Sequence, residues 1–482
     1  MSVLWTASDA QAATGGAGPG GWRASGVSAD SRSLAPGDLF VALQDSRDGH
    51  DFVADALARG AAAALVARRP EGVALDAPLL VVPDVMAGLH ALAQKARARS
   101  RAKVIGVTGS VGKTGTKEML RTALAPQGRV HASQKSYNNH WGVPLTLAAL
   151  PPDARYAVVE IGMNHAGEIA PLSQLTQPHV ALITTVAAVH LENFANIRGI
   201  ARAKAEIFAG MAPGGKAVLN RDIEMYPVLL RAARRAGAHP IRFGSAGRPE
   251  LALRQVGVEA HATTISARAF GREMLFKLGS PGRHLALNAL ACLGAVQAAG
   301  ADLGRAAVAL AGWQAPEGRG TRLAIGLGAG GLEGAVTLID ESYNANPASM
   351  GAALELLAAS TPRNGEGRVG RGRRIAILGD MLELGAIERP AHEALVAHPA
   401  MRAIDRVHCA GPRMRALYEK LPAGRRGEWH DTSTGLAERI ARLVDAGDVV
   451  MIKGSLGARM SRVVEALRRM GTVRPDGPRE EI

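Results

Sequence analysis

The stretch "VIGVTGSVGKTGTKEML", residues 104–120, decides the fold of the middle of this chain. It reads as a β-branched strand, a glycine-rich turn and a helix, and the N–H groups at such a helix start attract phosphate. The usual phosphate loop is G-x-x-x-x-G-K-[ST], but Val107 replaces its first glycine and Gly106 and Gly109 flank that position. Two interpretations follow, a phosphate loop of another form or a glycine-rich turn without a ligand.

The scarcity of lysine favours the phosphate loop. The chain has 10 Lys and 47 Arg, so a retained lysine suggests a need for a compact primary amine. We expect Lys113 to reach the β and γ phosphates of a nucleotide and the Thr114 hydroxyl to bind Mg²⁺. Lys204, in the apolar helical stretch "GIARAKAEIF", is equally consistent with a helix lysine that reaches water.

Composition limits the class of protein. With 482 residues we expect two to four domains, and 47% hydrophobic and 21% charged residues are typical of globular proteins. The sequence has no long apolar run, no signal sequence and only two cysteines. These features predict a cytoplasmic protein without membrane insertion. The net charge of +14 comes from dispersed arginines and aromatics are only 4%, so we expect phosphorylated small substrates rather than nucleic acid.

Alternating strand and helix patterns predict an α/β protein of three domains. Residues 1–100 form a small N-terminal α/β domain. Residues 101–313 form a central domain of the phosphate-loop type, with a mostly parallel sheet, helices on both faces and antiparallel strands over 251–280. Residues 314–482 form a C-terminal Rossmann-like domain.

Polar residues follow several predicted strands, where ligand sites of open parallel sheets lie. Glu160 ends "YAVVE" and is a candidate Mg²⁺ ligand, although a surface glutamate would give the same pattern. His190 follows the next strand and is a second candidate ligand. Asn288 in "GRHLALNAL" suits a purine edge or a structural role equally well. The loop in "LIDESYNANP" (338–347), with two of the scarce asparagines, predicts a binding loop.

Taken together, these motifs resemble the Mur ligase family. The family loop T-G-x-x-G-K-[ST] matches residues 108–114. Within the family, the resemblance is to the member that adds D-alanyl-D-alanine, and it rests on "DSRSLAPGDLFVAL" (30–43), "SYNNHWGVPLTL" (136–147), "EIGMNHAGEI" (160–169), "AKAEIF" (203–208), "SYNANP" (342–347), "GDMLELG" (379–385) and "KGS" (453–455). Their order and spacing cover nearly the whole chain.

The resemblance implies an ATP-dependent ligase of the EC 6.3.2 type that joins D-alanyl-D-alanine to UDP-N-acetylmuramoyl-tripeptide for peptidoglycan, and we expect a monomer. It implies catalytic roles for Lys113, Glu160, His190 and Lys204. The implied ATP-binding residues are Thr108, Gly109, Ser110, Val111, Gly112, Lys113, Thr114, Asn288, Arg319 and Tyr343. The implied Mg²⁺ residues are Thr114, Glu160, His190 and Lys204, the last as a carbamate, and the implied substrate residues are Ser31, Arg32, Asn138, Asn344, Asn346 and Lys453.

Two departures from the family pattern concern the nucleotide. Leu285 stands where relatives often have an asparagine, and Gly115 follows Thr114 where serine or threonine is common. Three other functions remain as alternatives to this interpretation. They are the sibling ligase that adds the third amino acid, whose D-N-P-R motif is missing here, folylpolyglutamate synthase, which lacks this N-terminal pattern, and a nucleotide-dependent regulator without ligase activity.

Overall fold

The computed structural model of the chain describes residues 3–133, 135–189, 191–259, 261–328, 331 and 333–476. Its strands form a sheet of four, a sheet of nine and a sheet of seven in chain order, preceded by a two-stranded ribbon. Helices accompany each large sheet. The predicted α/β class with three successive units is therefore confirmed.

The N-terminal sheet is entirely parallel, in the order β3-β4-β5-β6. Its two middle strands, Asp38–Val41 and Ala63–Val66, are almost completely buried, as expected for strands covered on both faces. The elements are Trp5–Thr6 (β1), Ala7–Thr14 (α1), Arg23–Ala24 (β2), Gly26–Ser28 (β3), Asp38–Val41 (β4), Val53–Ala58 (α2), Ala63–Val66 (β5), Leu79–Val81 (β6) and Val85–Arg99 (α3).

The central sheet has the order β15-β14-β13-β12-β11-β10-β7-β9-β8, with parallel pairing from β8 to β13 and antiparallel pairing from β13 to β15. The prediction of a mostly parallel sheet with an antiparallel segment is confirmed. The strands are Lys103–Thr108 (β7), Val130–Ala132 (β8), Tyr156–Glu160 (β9), Val180–Ile183 (β10), Lys216–Asn220 (β11), His239–Gly244 (β12), Leu251–Val258 (β13), Thr263–Ala269 (β14) and Arg272–Leu278 (β15).

Two hydrophobic clusters cover the two faces of this sheet, because successive side chains of a strand point to opposite sides. In β7, Ile105 and Val107 belong to one cluster and Val104 to the other. The helices are Lys113–Leu124 (α4), Gly142–Ala148 (α5), Ile169–Thr176 (α6), Ile197–Ala205 (α7), Tyr226–Arg235 (α8), Arg283–Ala298 (α9) and Leu303–Leu310 (α10). Residues of α4, α9 and α10 pack on the first face, and residues of α5 to α8 on the second.

The third sheet has the order β20-β19-β18-β21-β17-β16-β22, with five parallel strands and an antiparallel edge. The elements are Thr321–Leu327 (β16), Ala335–Glu341 (β17), Pro347–Ala359 (α11), Arg374–Gly379 (β18), Glu388–Ala394 (α12), Arg406–Ala410 (β19), Arg415–Lys420 (α13), Arg426–His430 (β20), Ser433–Leu443 (α14), Val449–Lys453 (β21), Ser461–Arg468 (α15) and Gly471–Pro475 (β22). Hydrophobic clusters lie on both of its faces, as in a Rossmann-like unit. In the described ranges no helix is both long and apolar enough to cross a bilayer.

Candidate active site

A cleft of about 620 Å³ lies between the central and the third sheet. Its walls come from residues at the carboxyl ends of parallel strands of both sheets, which is where open α/β sheets bind ligands. On the central side it is lined by the loop before α4 and by Glu160, and on the third side by Glu341 and Lys453, the last residues of β17 and β21.

The loop between β7 and α4 has the geometry of a phosphate site. Gly109 and Gly112 have φ values of 150° and 85°, which favour glycine. A side chain at Gly109 would also clash with the Thr184 hydroxyl, which donates 2.6 Å to the Val111 carbonyl. The helix begins at Lys113, whose Nζ donates to the Gly109 carbonyl at 2.9 Å. This loop therefore presents N–H groups and an ammonium group to the cleft.

A network of polar side chains continues from this loop. The Thr114 hydroxyl donates to Glu160 Oε2 at 2.9 Å, and Asn138 Nδ2 donates to Glu160 Oε1 at 2.7 Å. Glu160 is only 1% exposed, yet it lines the cleft. The Ser136 hydroxyl lies 3.1 Å from that of Thr114 and accepts a hydrogen bond from Arg319 Nη2, also at 3.1 Å. The network thus joins the central unit to the third.

Two amines near the network have altered acidity. Burial lowers the pKa of Lys204, which is 2% exposed, well below its ordinary value, and the nearby charge of Lys113 lowers it further. Desolvation also lowers the pKa of Lys113, a shift that the Glu160 carboxylate opposes and Arg319 reinforces. Burial and the charge of Lys113 therefore both disfavour the charged form of Lys204.

The third unit contributes cations and aromatic surface to the cleft. The Arg319 guanidinium lies 3.9 Å from the centre of the Tyr343 ring. Lys453 is 2% exposed, and its Nζ donates to Glu341 Oε2 at 3.0 Å and to the Asn344 carbonyl at 2.9 Å. This pair fixes the ends of β17 and β21 next to each other.

Comparison with known proteins identifies the family. The family description "Mur ligase middle domain" matches residues 107–296, "Mur ligase, glutamate ligase domain" matches 329–456, and "Mur ligase family, catalytic domain" matches 23–97. A protein of Escherichia coli (strain K12) named UDP-N-acetylmuramoyl-tripeptide–D-alanyl-D-alanine ligase is 36% identical over 92% of this chain and 94% of its own length. The chain belongs to the Mur ligase family.

Solved structures agree with this assignment. MurF from Acinetobacter baumannii is 28% identical, with a TM-score of 0.79 over 96% of this Mur ligase and 99% of the neighbour. MurF ligase from Thermotoga maritima in complex with ADP is 27% identical, with a TM-score of 0.72 over 92% and 97% of the two chains. The resemblance inferred from the sequence is thereby confirmed.

The cleft of this Mur ligase gathers most of the residues predicted from the sequence. Its lining includes Ser110, Val111, Gly112, Lys113, Thr114, Asn138, Glu160, Asn288, Arg319, Tyr343, Asn344, Asn346 and Lys453. The Asn288 side chain lies so close to Gly112 that a Cβ there would be 2.9 Å from Nδ2. Leu285, which replaces a family asparagine, lines the same wall.

Several predicted residues lie elsewhere or have other partners. His190 lies outside the described residues. Ser31 is buried and bonds Asp55, whereas Arg32 is exposed and donates to Asp30 at 2.9 and 3.0 Å. Neither of the two is found in the described lining of the cleft.

Two further predicted residues contribute through the fold around the cleft. Thr108 is buried behind the loop, with its carbonyl accepting from the Thr184 N–H at 3.0 Å. The Asn346 Oδ1 caps α11 by accepting from the Ser349 N–H at 2.9 Å, which fixes the orientation of the side-chain amide.

Sequence reasoning missed two residues beside the site. Ser136 links Thr114 to Arg319, and its position in "SYNNH" was the available signal. Lys117 is a completely buried lysine of α4, and the scarcity of lysine could have marked it. Within the part of the chain that the structure describes, no three His, Cys, Asp or Glu residues cluster as metal ligands.

Proposed function

We propose that this Mur ligase joins D-alanyl-D-alanine to UDP-N-acetylmuramoyl-tripeptide at the expense of ATP, giving the UDP-muramoyl-pentapeptide. The observation that carries the proposal is the Escherichia coli ligase of that name, 36% identical over nearly the full length of both chains. The cleft between two sheets supports it, because a nucleotide loop and a second wall of polar groups face each other there.

The proposed reaction has two steps. An oxygen of the tripeptide carboxylate attacks the γ-phosphorus of ATP, and the bond between that phosphorus and the β,γ-bridging oxygen breaks. The products of this step are ADP and an acyl phosphate of the tripeptide. The dipeptide amine then attacks the acyl carbon, its proton is lost, and inorganic phosphate departs with the cleaved C–O bond. Positioning and electrostatic stabilisation supply most of the catalysis in such transfers. Lys113 and the N–H groups of residues 111 and 112 stabilise the charge on the transferred phosphoryl group.

The buried Glu160 carboxylate fits a Mg²⁺ site. Its two oxygens accept from Thr114 and Asn138, two neutral donors, and no ion pair with it is found among the described residues, so its charge suits an added cation. Hydroxyl and carboxylate oxygens are ligands that Mg²⁺ prefers. Thr114, Glu160 and His190 would hold the ion, which would neutralise charge on the phosphates.

The environment of Lys204 fits a carbamate. A neutral amine can attack CO₂, forming an N–C bond and releasing a proton, and the product is an anionic carboxylate. Within the described ranges the Lys204 amine has no hydrogen-bond or ion-pair partner, and its pKa is lowered by burial and by Lys113. The carbamate oxygens would join Glu160 as anionic ligands for Mg²⁺, which an arginine at this position could not provide.

The remaining roles divide between nucleotide and substrates. Thr108 and Gly109 support the phosphate loop from behind. Asn288, Arg319 and Tyr343 contact ATP, the last two from the third unit, so closure of that unit completes the site and excludes water from the acyl phosphate. The uridine nucleotide end lies near Ser31 and Arg32, and the peptide and dipeptide near Asn138, Asn344, Asn346 and Lys453.

The organisation of the chain is proposed on the same basis. We assign residues 1–100 to binding of the UDP-sugar, 101–313 to ATP and 314–482 to ligation, because each range contains one of the three large sheets. A monomer suffices for this scheme, since the cleft is formed within one chain. We place the reaction in the cytoplasm, where ATP is available.

The decisive experiment measures phosphate release from ATP together with the mass of the product. Release should require both UDP-muramoyl-tripeptide and D-alanyl-D-alanine, and the product should carry two additional alanines. Release with a free diamino acid and a UDP-muramoyl-dipeptide would favour the sibling ligase. Nucleotide binding without release under any of these conditions would favour a regulator.

A further inference from the structure

Lys117 is a buried ammonium group that the proposed reaction leaves unexplained. It lies one helical turn after Lys113 in α4 and is 0% exposed. In a chain with 10 Lys and 47 Arg, a lysine in the interior indicates a site that requires a compact amine. A buried charge is tolerated only when its hydrogen-bonding groups are satisfied.

The protein provides acceptors for all three N–H donors of Lys117. Nζ donates to the Ser133 carbonyl at 2.7 Å and to the Lys135 carbonyl at 3.2 Å, and it pairs with Glu118 Oε1 at 2.9 Å. An ammonium group has three N–H donors. The N–H donors of Lys117 are therefore all used within the protein, and Lys117 is not a second phosphate-binding lysine.

The carbonyls bound by Lys117 precede the side chains that orient the metal and nucleotide groups. Ser136 follows Lys135 directly and contacts both Thr114 and Arg319. Asn138 lies two residues further and holds the Glu160 carboxylate. Ser133, Lys135, Ser136 and Asn138 form what we call the tether loop. Lys117 fixes the start of this loop to the same helix that begins with Lys113 and Thr114.

We propose that Lys117 is a positioning residue that sets the geometry of Thr114 and Glu160, and the docking point of Arg319, through the tether loop. The assignment rests on the proposed function for its nucleotide and Mg²⁺. A point-like ammonium can serve three acceptors in different directions, whereas the planar guanidinium of arginine donates within one plane. This explains the lysine at this position.

The test is binding of ADP in the presence of Mg²⁺, measured by titration calorimetry on Lys117→Met and on the unaltered protein. Loss of groups that orient metal ligands weakens metal affinity about 10- to 100-fold, and we expect a loss of that size in Mg²⁺-dependent ADP affinity.

Asp448→Asn is the matched control for the loss of a buried charge. Asp448 is 1% exposed and pairs with Arg373 at 2.6 Å. It directly precedes β21 and so lies at the amino end of that strand, whereas the cleft lies at the carboxyl end. It should lower thermal stability but leave ADP affinity unchanged. Equal affinity losses in Lys117→Met and Asp448→Asn would reduce Lys117 to a stability role and overturn the proposal.

A second variant keeps the proposal testable if Lys117→Met does not fold. Lys117→Gln retains two N–H donors and most of the side-chain volume, and it should show an intermediate loss of affinity. Unaltered ADP affinity in either folded variant overturns the proposal. If the unaltered protein binds ADP but does not ligate D-alanyl-D-alanine, the proposed function fails while the Lys117 measurement still gives its answer.

Discussion

Arg319→Ala tests whether the third unit acts on the nucleotide through the contacts seen in the cleft. The substitution removes a hydrogen bond of 3.1 Å to Ser136 and a cation–π contact of 3.9 Å to Tyr343. The hydrogen bond joins the third unit to the central unit, and the cation–π contact orients the Arg319 guanidinium within the third unit. We expect the loss to appear in kcat/KM for ATP, because closure stabilises the transition state rather than the free protein.

The magnitude follows from the two contacts. A hydrogen bond from a charged group contributes about 1.5 to 3 kcal/mol, and a cation–π contact about 0.5 to 2 kcal/mol. Their sum of about 2 to 5 kcal/mol corresponds to about a 30- to 4000-fold loss in kcat/KM, at 1.4 kcal/mol for each factor of ten. Tyr343→Leu removes only the aromatic part and should cost about 2- to 30-fold.

The assay is steady-state phosphate release at varied ATP with both other substrates saturating. Arg415→Ala is the matched control, because Arg415 also stacks on an aromatic ring, at 5.3 Å from Trp429, and pairs with Glu419 on α13. It should stay within about twofold of the unaltered protein, since such surface contacts are worth little. An Arg319→Ala enzyme that keeps kcat/KM within threefold, with Arg415→Ala unchanged, would refute the role of Arg319 in closure.

Three further predictions concern the metal, the amine and acid stability. Lys113→Ala and Glu160→Ala should each lower ligation at least about 100-fold, as measured by phosphate release; ligation near the normal rate in either would remove the metal–phosphate assignment. Lys204→Ala should lose most activity and recover part of it with added short carboxylic acids, and the absence of any recovery would count against the carbamate. Arg439 lowers the pKa of Glu428 to about 2 through a close ion pair. Because this folded-state pKa lies below the unfolded value, the stabilisation is present above about pH 4.5 and is lost as the pH falls towards 2. Between pH 5 and 2 the free energy of unfolding should therefore fall about 1 to 3 kcal/mol more than in Glu428→Gln, measured by urea titration; equal losses would contradict the assigned pair.

The sequence by itself determined the family and the central parts of the site. The loop before α4, the strand-end Glu160 and the "SYNANP" and "KGS" motifs are local patterns, and local pattern decides strand, turn and helix. The scarcity of lysine marked Lys113, which lines the cleft, and drew attention to Lys204, whose pKa the charge of Lys113 helps to lower. The carboxyl ends of parallel strands meet at one edge, so the grouping of polar residues could be predicted as well.

Only the tertiary structure decided which partners those residues have. Thr114 meets Glu160 across 46 positions of sequence, and Arg319 meets Ser136 across 183, so neither contact leaves a local pattern. Packing also determined that Lys117 holds two carbonyls rather than a phosphate and that the Asn346 oxygen caps a helix. The sequence showed that the phosphate loop has the family form with a glycine at position 109, but it did not show why that position requires glycine. The Thr184 hydroxyl from a neighbouring strand end occupies the space that any side chain at Gly109 would need.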